Sequence, residues 1–190
     1  MNPDCEIPIA NIPLNHCPRF TGDVYTYPSA IATFYAPSDL SGIGGGFRER
    51  IQCTPGWRSG EARQDCVFVR QDPNLPGICG LRIAQVKALL KFKHNRVTYP
   101  CALVSWFKLV GDSPCNVTGM WVVSREIRED GQRLVGLIHL DTVFRSAHLI
   151  GIADPSRYVP YEIDYMNALD AFKTFYVNKY IDYHTYEVVF

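Results

Sequence analysis

The segment RIAQVKALLKFK (82–93) constrains the fold most, because side chains alternate along it between two sides. One side would carry Val86, Ala88, Leu90 and Phe92. The other would carry Gln85, Lys87, Leu89, Lys91 and Lys93. A period of two is typical of a half-buried β-strand. A helix through Ile83, Val86 and Leu90 is the competing interpretation, but the turn-forming residues 94–96 and the apolar run 99–110 favour a β-hairpin.

Short apolar runs bounded by turn residues continue this pattern on both sides of the hairpin. We predict further strands at 66–69, 120–123, 134–140 and 148–150, with turns at 72–77, 111–114 and 129–131. Several short strands at such spacing are typical of a small antiparallel barrel or a curled sheet. The predicted fold class is therefore mainly β (α+β).

The remaining segments give the expected domain organisation. Residues 1–30 are rich in Pro and Asn and have no periodicity, so we expect an extended or poorly ordered leader. Residues 31–190 would form a single β-rich domain. The glycine-rich stretch 38–46 lacks Gly-Lys-Ser/Thr, which makes it a flexible connection rather than a nucleotide loop. Three- and four-residue spacings predict an amphipathic C-terminal helix at about 165–180 through Met166, Leu169, Ala171, Phe172, Phe175, Tyr176 and Tyr180.

The distribution of reactive side chains predicts a protein that is not an enzyme. The seven cysteines are widely spread without a CxxC pair, and the five histidines are scattered, so we expect free thiols, no metal and no cofactor. No GxSxG nucleophile motif is present. No run of 18 apolar residues suits a membrane span, and the N-terminus does not resemble a signal peptide, so we expect an intracellular protein with no membrane contact.

The net charge of zero conceals a basic segment. Residues 73–111 contain six Lys or Arg and no Asp or Glu, whereas both flanks are acidic. A solvated strand face would explain this, and so would an anionic partner. If the partner is a nucleic acid, the candidate residues are Arg82, Lys87, Lys91, Lys93 and Arg96.

Aromatic side chains around the predicted barrel offer a second kind of site. Two or three aromatic faces around a concave space can hold a methylated ammonium group by cation–π attraction. The candidates for such a cage are Tyr99, Trp106, Trp121 and Tyr158. The alternative is that both tryptophans belong to the hydrophobic core.

Several ordered blocks carry a family resemblance. They are FYAPSDLSGIGG (34–45), CVFV (66–69), GLRIAQVKALLKF (80–92), YPCALVSWF (99–107), GDSP (111–114), TGMWVV (118–123), IHLDTVFRSAHLIGI (138–152) and ALDAFKTFYVNKYIDYHTYE (168–187). Together they resemble the C-terminal region of fungal Plavaka-type transposase proteins. The resemblance implies a transposon origin and a nuclear setting. It does not imply transposase activity, because the family's catalytic region lies upstream of these blocks.

The order RIAQV, LVSWF, GMWVV, IHLDTVFRSAHLI is also similar to bromo-adjacent homology (BAH) domains. These are β-rich chromatin modules, some of which read methylated histone lysines with an aromatic cage. This resemblance implies an interaction module whose partner is a histone tail or another chromatin protein. Two alternatives stay open: an accessory domain that binds DNA through segment 82–108, and a structural or oligomerising domain that uses the aromatic C-terminal helix. The oligomeric state is left open.

Overall fold

The computed structural model describes residues 19–36, 44–56, 62–154, 163–164 and 167–190. Its strands are β1 (Val24–Tyr27), β2 (Ser29–Tyr35), β3 (Gly46–Thr54), β4 (Arg63–Gln64), β5 (Cys66–Arg70), β6 (Leu81–His94), β7 (Val97–Leu109), β8 (Val122–Arg125), β9 (Val135–His139), β10 (Val143–Ala147), β11 (Leu149–Gly151) and β12 (Thr174–Val177). Its α-helices are α1 (Ala168–Ala171) and α2 (Tyr183–Val189). The fold is mainly β, a nearly closed antiparallel barrel-like sheet with a few helices, which confirms the predicted class.

The long hairpin of β6 and β7 is the centre of this sheet. The two strands pair from Ala84 opposite Trp106 to His94 opposite Val97, so the predicted strand and hairpin are confirmed. Asn95 and Arg96 form the two-residue turn, and both have positive φ, 48° and 66°. Two left-handed residues match the right-handed twist of the flanking strands, as type I′ hairpins require.

A β-bulge interrupts β6 and changes which side chains face the core. The register shifts between Val86 and Ala88, and Leu89 therefore joins the same core cluster as Val86. The predicted alternation placed Val86 with Leu90, which is wrong beyond the bulge because the extra residue reverses the side-chain phase. The bulge also divides the partners of β6: β5 pairs before it and β1 after it.

Strand β5 is buried on both faces, which explains its unbroken apolar sequence. Cys66 and Phe68 belong to one core cluster, and Val67 and Val69 belong to the other. Strands covered on both sides are typically continuous apolar runs. The first cluster also contains residues of β8, β12 and α2, and the second is closed by Ile51 and Cys53 from β3. The sheet thus has cores on both of its faces.

The small sheet β2-β3-β4 is joined to the rest by a group of buried polar contacts, the Arg145 joint. It consists of Arg145 with Phe34, Glu49, Asp182 and His184. Arg145 is only 4% exposed and donates two hydrogen bonds to Asp182, at 2.5 and 2.9 Å. The His184 ring stacks on Phe34 at 4.8 Å, and Glu49 accepts hydrogen bonds from Ser146. Four segments of the chain therefore meet at one guanidinium group.

Two predicted boundaries differ from the structure. The predicted helix at about 165–180 is wrong: among the described residues of that range Ala168–Ala171 are helical, and β12 follows them, because Phe175 and Val177 alternate into the core. The predicted leader also contains strand residues, since β1 pairs with β6 and β2 begins at Ser29. Residues 1–18 lie outside the described residues, as does most of the glycine-rich stretch 38–46.

Candidate functional site

Trp106 lies on the central hairpin with its ring already in contact with a cation. The guanidinium carbon of Arg82 is 4.2 Å from the centre of its ring, and Arg82 also pairs with Glu126. On another side, a Cβ placed on Gly136 would lie 2.7 Å from Trp106 Nε1, so the indole packs closely against β9. One face of the Trp106 ring is therefore already covered by a cation of the same chain, Arg82.

The other cage candidates lie elsewhere. Trp121 packs against the core cluster that contains Phe107 and Phe175, whereas Trp106 packs against the opposite cluster. Tyr99 stacks on Phe92, with ring centres 5.4 Å apart. Tyr158 lies outside the described residues. Among the described residues no ring contact joins Tyr99, Trp106 and Trp121, and binding of a histone tail stays a prediction from the sequence.

The five basic candidates do not form one surface either. Arg82 is held by Glu126 and Trp106, as described above. Lys87 lies at the bulge and donates hydrogen bonds to Gln64 at 2.7 Å and Gln85 at 3.2 Å. Its predicted position beside Lys91 and Lys93 on one regular strand face is lost, because the bulge separates them. Lys91, Lys93 and Arg96 remain together at the far end of the hairpin.

Lys91 lies against two exposed tyrosines, Tyr25 and Tyr27, which belong to the segment predicted as a leader. Tyr25 pairs with Lys91 and Tyr27 with Leu89 across the β1–β6 ladder. Directly opposite residues share a face of the sheet, and so does Lys93, two residues further along. We call the set Tyr25, Tyr27, Lys91, Lys93 and Arg96 the hairpin-end surface.

The ammonium group of Lys91 lies against both tyrosines of this surface. Lys91 Nζ is 5.9 Å from the ring centre of Tyr25 and 5.3 Å from that of Tyr27, within the range of cation–π attraction. A hydrogen bond with Tyr27 raises the pKa of Lys91. The group therefore stays charged at neutral pH. Tyr25 and Tyr27 are 56% and 41% exposed, so part of each residue is open to solvent.

The charge around the hairpin-end surface is positive. Segments 19–27 and 91–99 contain four Lys or Arg and one carboxylate, Asp23. Lys93, His94 and Arg96 are all exposed. Screening reduces attraction beyond roughly 8–10 Å at physiological salt, so such a surface acts at short range on an anionic partner.

A signal for the missed tyrosines was present in the sequence. Val24-Tyr25-Thr26-Tyr27 alternates with period two and precedes a proline, which suits an edge strand. Four residues are too few for periodicity to outweigh the surrounding Pro, Asn and Gly. Only the pairing of β1 with the hairpin shows that these rings lie beside Lys91.

Across the described segments, no group of three or more His, Cys, Asp or Glu side chains could hold a metal ion. None of the helices in those segments is long and apolar enough to cross a bilayer. No family model, no curated protein and no solved structure matches the chain. The part of the chain that the structure describes thus has the fold of a mainly β, barrel-like protein, and the hairpin-end surface is a group of cations and exposed aromatic rings that its strand pairing brings together.

Proposed function

We propose that this chain is a nucleic-acid-binding module that contacts its partner with the hairpin-end surface. The observation that carries the proposal is the position of Lys91 between the exposed rings of Tyr25 and Tyr27, on the same face as Lys93. Lysine and arginine neutralise phosphates, and exposed aromatic rings stack on bases. Both chemistries are present on one small surface.

The arrangement favours a single strand over a duplex. Tyr25 and Tyr27 are two residues apart on an extended strand, about 6.6 Å, and both rings lie open to solvent. Bases in a single strand have free faces, whereas those in a duplex are stacked on one another. The cations flank the rings on the hairpin side, where the phosphates of a strand lying across β1 would pass.

The turn supplies a further argument. Arg96 has φ of 66°, a conformation that glycine adopts freely and that costs another L-residue about 1 kcal/mol or more. Asn-Gly is the favoured sequence of such a turn. Strain of this kind is a reason to look for a function of the residue that bears it. A guanidinium group held at the tip of a rigid hairpin is well placed to contact phosphate.

The experiment is a fluorescence-anisotropy titration of the full chain with a labelled single-stranded 15-mer, repeated with the matching duplex. We expect tighter binding of the single strand. Its affinity should fall with salt with a logarithmic slope of about −2, since three neutralised phosphates each contribute about 0.7. Lys91→Gln combined with Lys93→Gln and Arg96→Gln should weaken binding by about tenfold or more at low salt.

The ring contribution is tested separately from charge. Tyr25→Ala and Tyr27→Ala should each weaken binding by about 1–3 kcal/mol, the usual contribution of one stacked base. Matched controls are Tyr183→Ala, a 74% exposed tyrosine of α2, and Lys108→Gln, an exposed cation near the other end of β7. The proposal is wrong if the controls weaken binding as much as the surface variants, or if no oligonucleotide binds at 50 mM salt.

The nuclear setting and the transposon origin implied by the family resemblance stay predictions. The oligomerisation alternative stays a prediction as well. Of the aromatic residues that motivated it, Phe175 is buried in the core and Phe172 packs against it, whereas Tyr180 is 66% exposed.

A further inference from the structure

A second group of cations lies away from the hairpin-end surface, where β6, β8 and α1 meet. It contains Lys87, Arg125 and Arg133, and we call it the basic cluster. Arg125 and Arg133 both donate to one oxygen of Asp170, Oδ1, at 3.1 and 2.6 Å. Lys87 and Arg125 both donate to Gln85 Oε1, at 3.2 and 3.1 Å. Shared acceptors therefore place Arg125 beside each of the other two cationic groups.

The cluster has more positive than negative charge. Asp170 is the one carboxylate that its hydrogen bonds and ion pairs reach among the described residues. The nearby carboxylate of Asp65 pairs with Arg63 at 2.9 Å. Burial raises the pKa of the Cys66 thiol to about 12, so this group is neutral at pH 7. Within the part of the chain that the structure describes, three cations and one anion leave two positive charges of the cluster without a counter-charge.

Burial and the neighbouring cations shift the pKa values of the group in the same direction. Burial lowers the pKa of Lys87, and the charges of Arg125 and Arg133 lower it further. Burial also lowers the pKa of Arg125, and the charge of Arg133 lowers it further. Its side chain is only 10% exposed, so water screens these repulsions weakly. Holding cations in this way is unfavourable unless an anion balances them.

Two members of the cluster retain donors for such an anion. Arg133 uses one of its guanidinium N–H groups, on Asp170, and its side chain is 39% exposed. Lys87 uses two of its three donors, on Gln64 and Gln85. Arg125 is occupied by Gln85, Asp170 and the Leu169 carbonyl, and so contributes charge rather than a free donor. Lys87 and Arg133 are thus the groups that can contact a ligand.

We propose that the basic cluster is a phosphate-binding site, in which Lys87 and Arg133 donate hydrogen bonds to the phosphate oxygens. The more deeply buried Arg125 adds positive charge without donating to the ligand. A phosphate dianion carries the two negative charges that the cluster lacks. Arginine offers the planar fork that matches phosphate, and lysine a compact charge. The phosphate group can be free or belong to a monoester.

The test is isothermal titration calorimetry of the full chain at constant ionic strength, with inorganic phosphate, adenosine monophosphate and chloride as separate titrants. We expect saturable binding of phosphate, of the monophosphate or of both, and none of chloride. Phosphate binding with equal or tighter binding of the monophosphate identifies an ester as an accepted ligand. Phosphate binding alone identifies the free ion. No saturable heat from either titrant up to about 20 mM would overturn the proposal.

Variants assign the binding to these side chains. Lys87→Gln and Arg133→Gln should each weaken phosphate binding about tenfold, whereas Arg128→Gln, an exposed arginine paired with Asp130, should leave it unchanged. Asp170→Asn should tighten it several-fold, since the competing carboxylate is removed; a purely structural cluster would not show this gain. Equal effects of the Arg128 and Arg133 variants would contradict the site. The triple hairpin-end variant should bind phosphate normally, which separates this proposal from the proposed function.

Discussion

The hairpin-end surface and the Arg145 joint use the same kind of side chain in opposite ways. At the joint, Arg145 is buried and its charge is matched by Asp182 and Glu49. At the hairpin end, Lys93 and Arg96 are exposed, and neither has an ion pair among the described residues. A compensated cation holds parts of the fold together, and an uncompensated exposed cation remains available to a partner. Mutations in the Arg145 joint should therefore lower the stability of the fold, whereas mutations in the hairpin-end surface should lower the affinity for a partner.

The largest expected effect is on stability at the joint. Asp182→Ala leaves Arg145 buried without its main counter-charge and removes the N-cap of α2, where Asp182 accepts from the Thr185 N–H at 2.7 Å. We expect a loss of about 3–5 kcal/mol in the free energy of unfolding, measured with urea. Asp130→Ala removes an exposed partner of Arg128 and is the control, with a change of about 0–1 kcal/mol. A loss at Asp182 no larger than this control would remove the distinction between the regions.

The second effect is a pH dependence that arises from the joint. Burial lowers the pKa of His184, and Arg145 lowers it further; Asp182, Glu187 and the Tyr35 carbonyl act against this, and Glu49 faces the same guanidinium. The unfolded chain then binds a proton at a higher pH than the folded chain. The contribution of neutral His184 to the free energy of unfolding is therefore fully present above about pH 6.5, and it is lost as the pH falls below that value.

Urea unfolding at pH 7.0, 6.0 and 5.0 measures this slope. Burial alone would raise the pKa of Asp182, but hydrogen bonds from Arg145 and Thr185 hold it below its ordinary value, so its contribution is lost only at more acidic pH. His184→Gln should remove the slope between pH 6.5 and 5, and His94→Gln, a change at the exposed end of β6, should keep it. An unchanged slope in His184→Gln would assign the effect to another group.

At the turn we expect one substitution to raise stability and to weaken binding, each by a smaller amount. Arg96→Gly relieves the left-handed conformation and should stabilise the hairpin by about 1 kcal/mol. The same change removes a phosphate contact and should weaken binding of the single strand several-fold. Thermal unfolding and anisotropy on one sample measure both. Arg96→Gln keeps the strain and loses the charge, so it should show the binding loss alone.

The smallest expected effect is on stability at the hairpin end. Lys91→Gln with Lys93→Gln should change the free energy of unfolding by no more than about 0.5 kcal/mol per site, because neither side chain fills the core. A larger destabilisation, measured with urea, would mean that these lysines hold β1 in place, and their loss of binding would then need a structural explanation.

The sequence was sufficient for the parts of the fold that depend on local pattern. The 82–93 strand, the hairpin and the buried β5 follow from alternation and apolar runs. The bulge did not, because one extra residue leaves the composition of β6 unchanged and is defined only by its pairing with β7. Strand β12 was mistaken for helix because Leu169, Phe172 and Tyr176 have helical spacing by coincidence.

The same limit applied to the candidate site. The sequence identified Lys91, Lys93 and Arg96, since basic residues on a predicted hairpin are visible locally. It grouped them with Arg82 and Lys87, whose charges are engaged by Glu126 and by Gln64 and Gln85 through contacts distant in sequence. Tyr25 lies more than 60 positions before Lys91, and no local pattern could predict that they would be neighbours.

The bulge at Lys87 makes the hairpin-end surface depend on a single residue. Val86 and Leu89 face the same core cluster because the extra residue is taken up between Val86 and Ala88. A ladder with the same residues and no bulge would pair Ala88 with Ala102 and turn Lys91 and Lys93 to the side now occupied by Leu90 and Phe92. This one irregularity of the backbone thus decides whether charged or apolar side chains lie beside the tyrosines of β1.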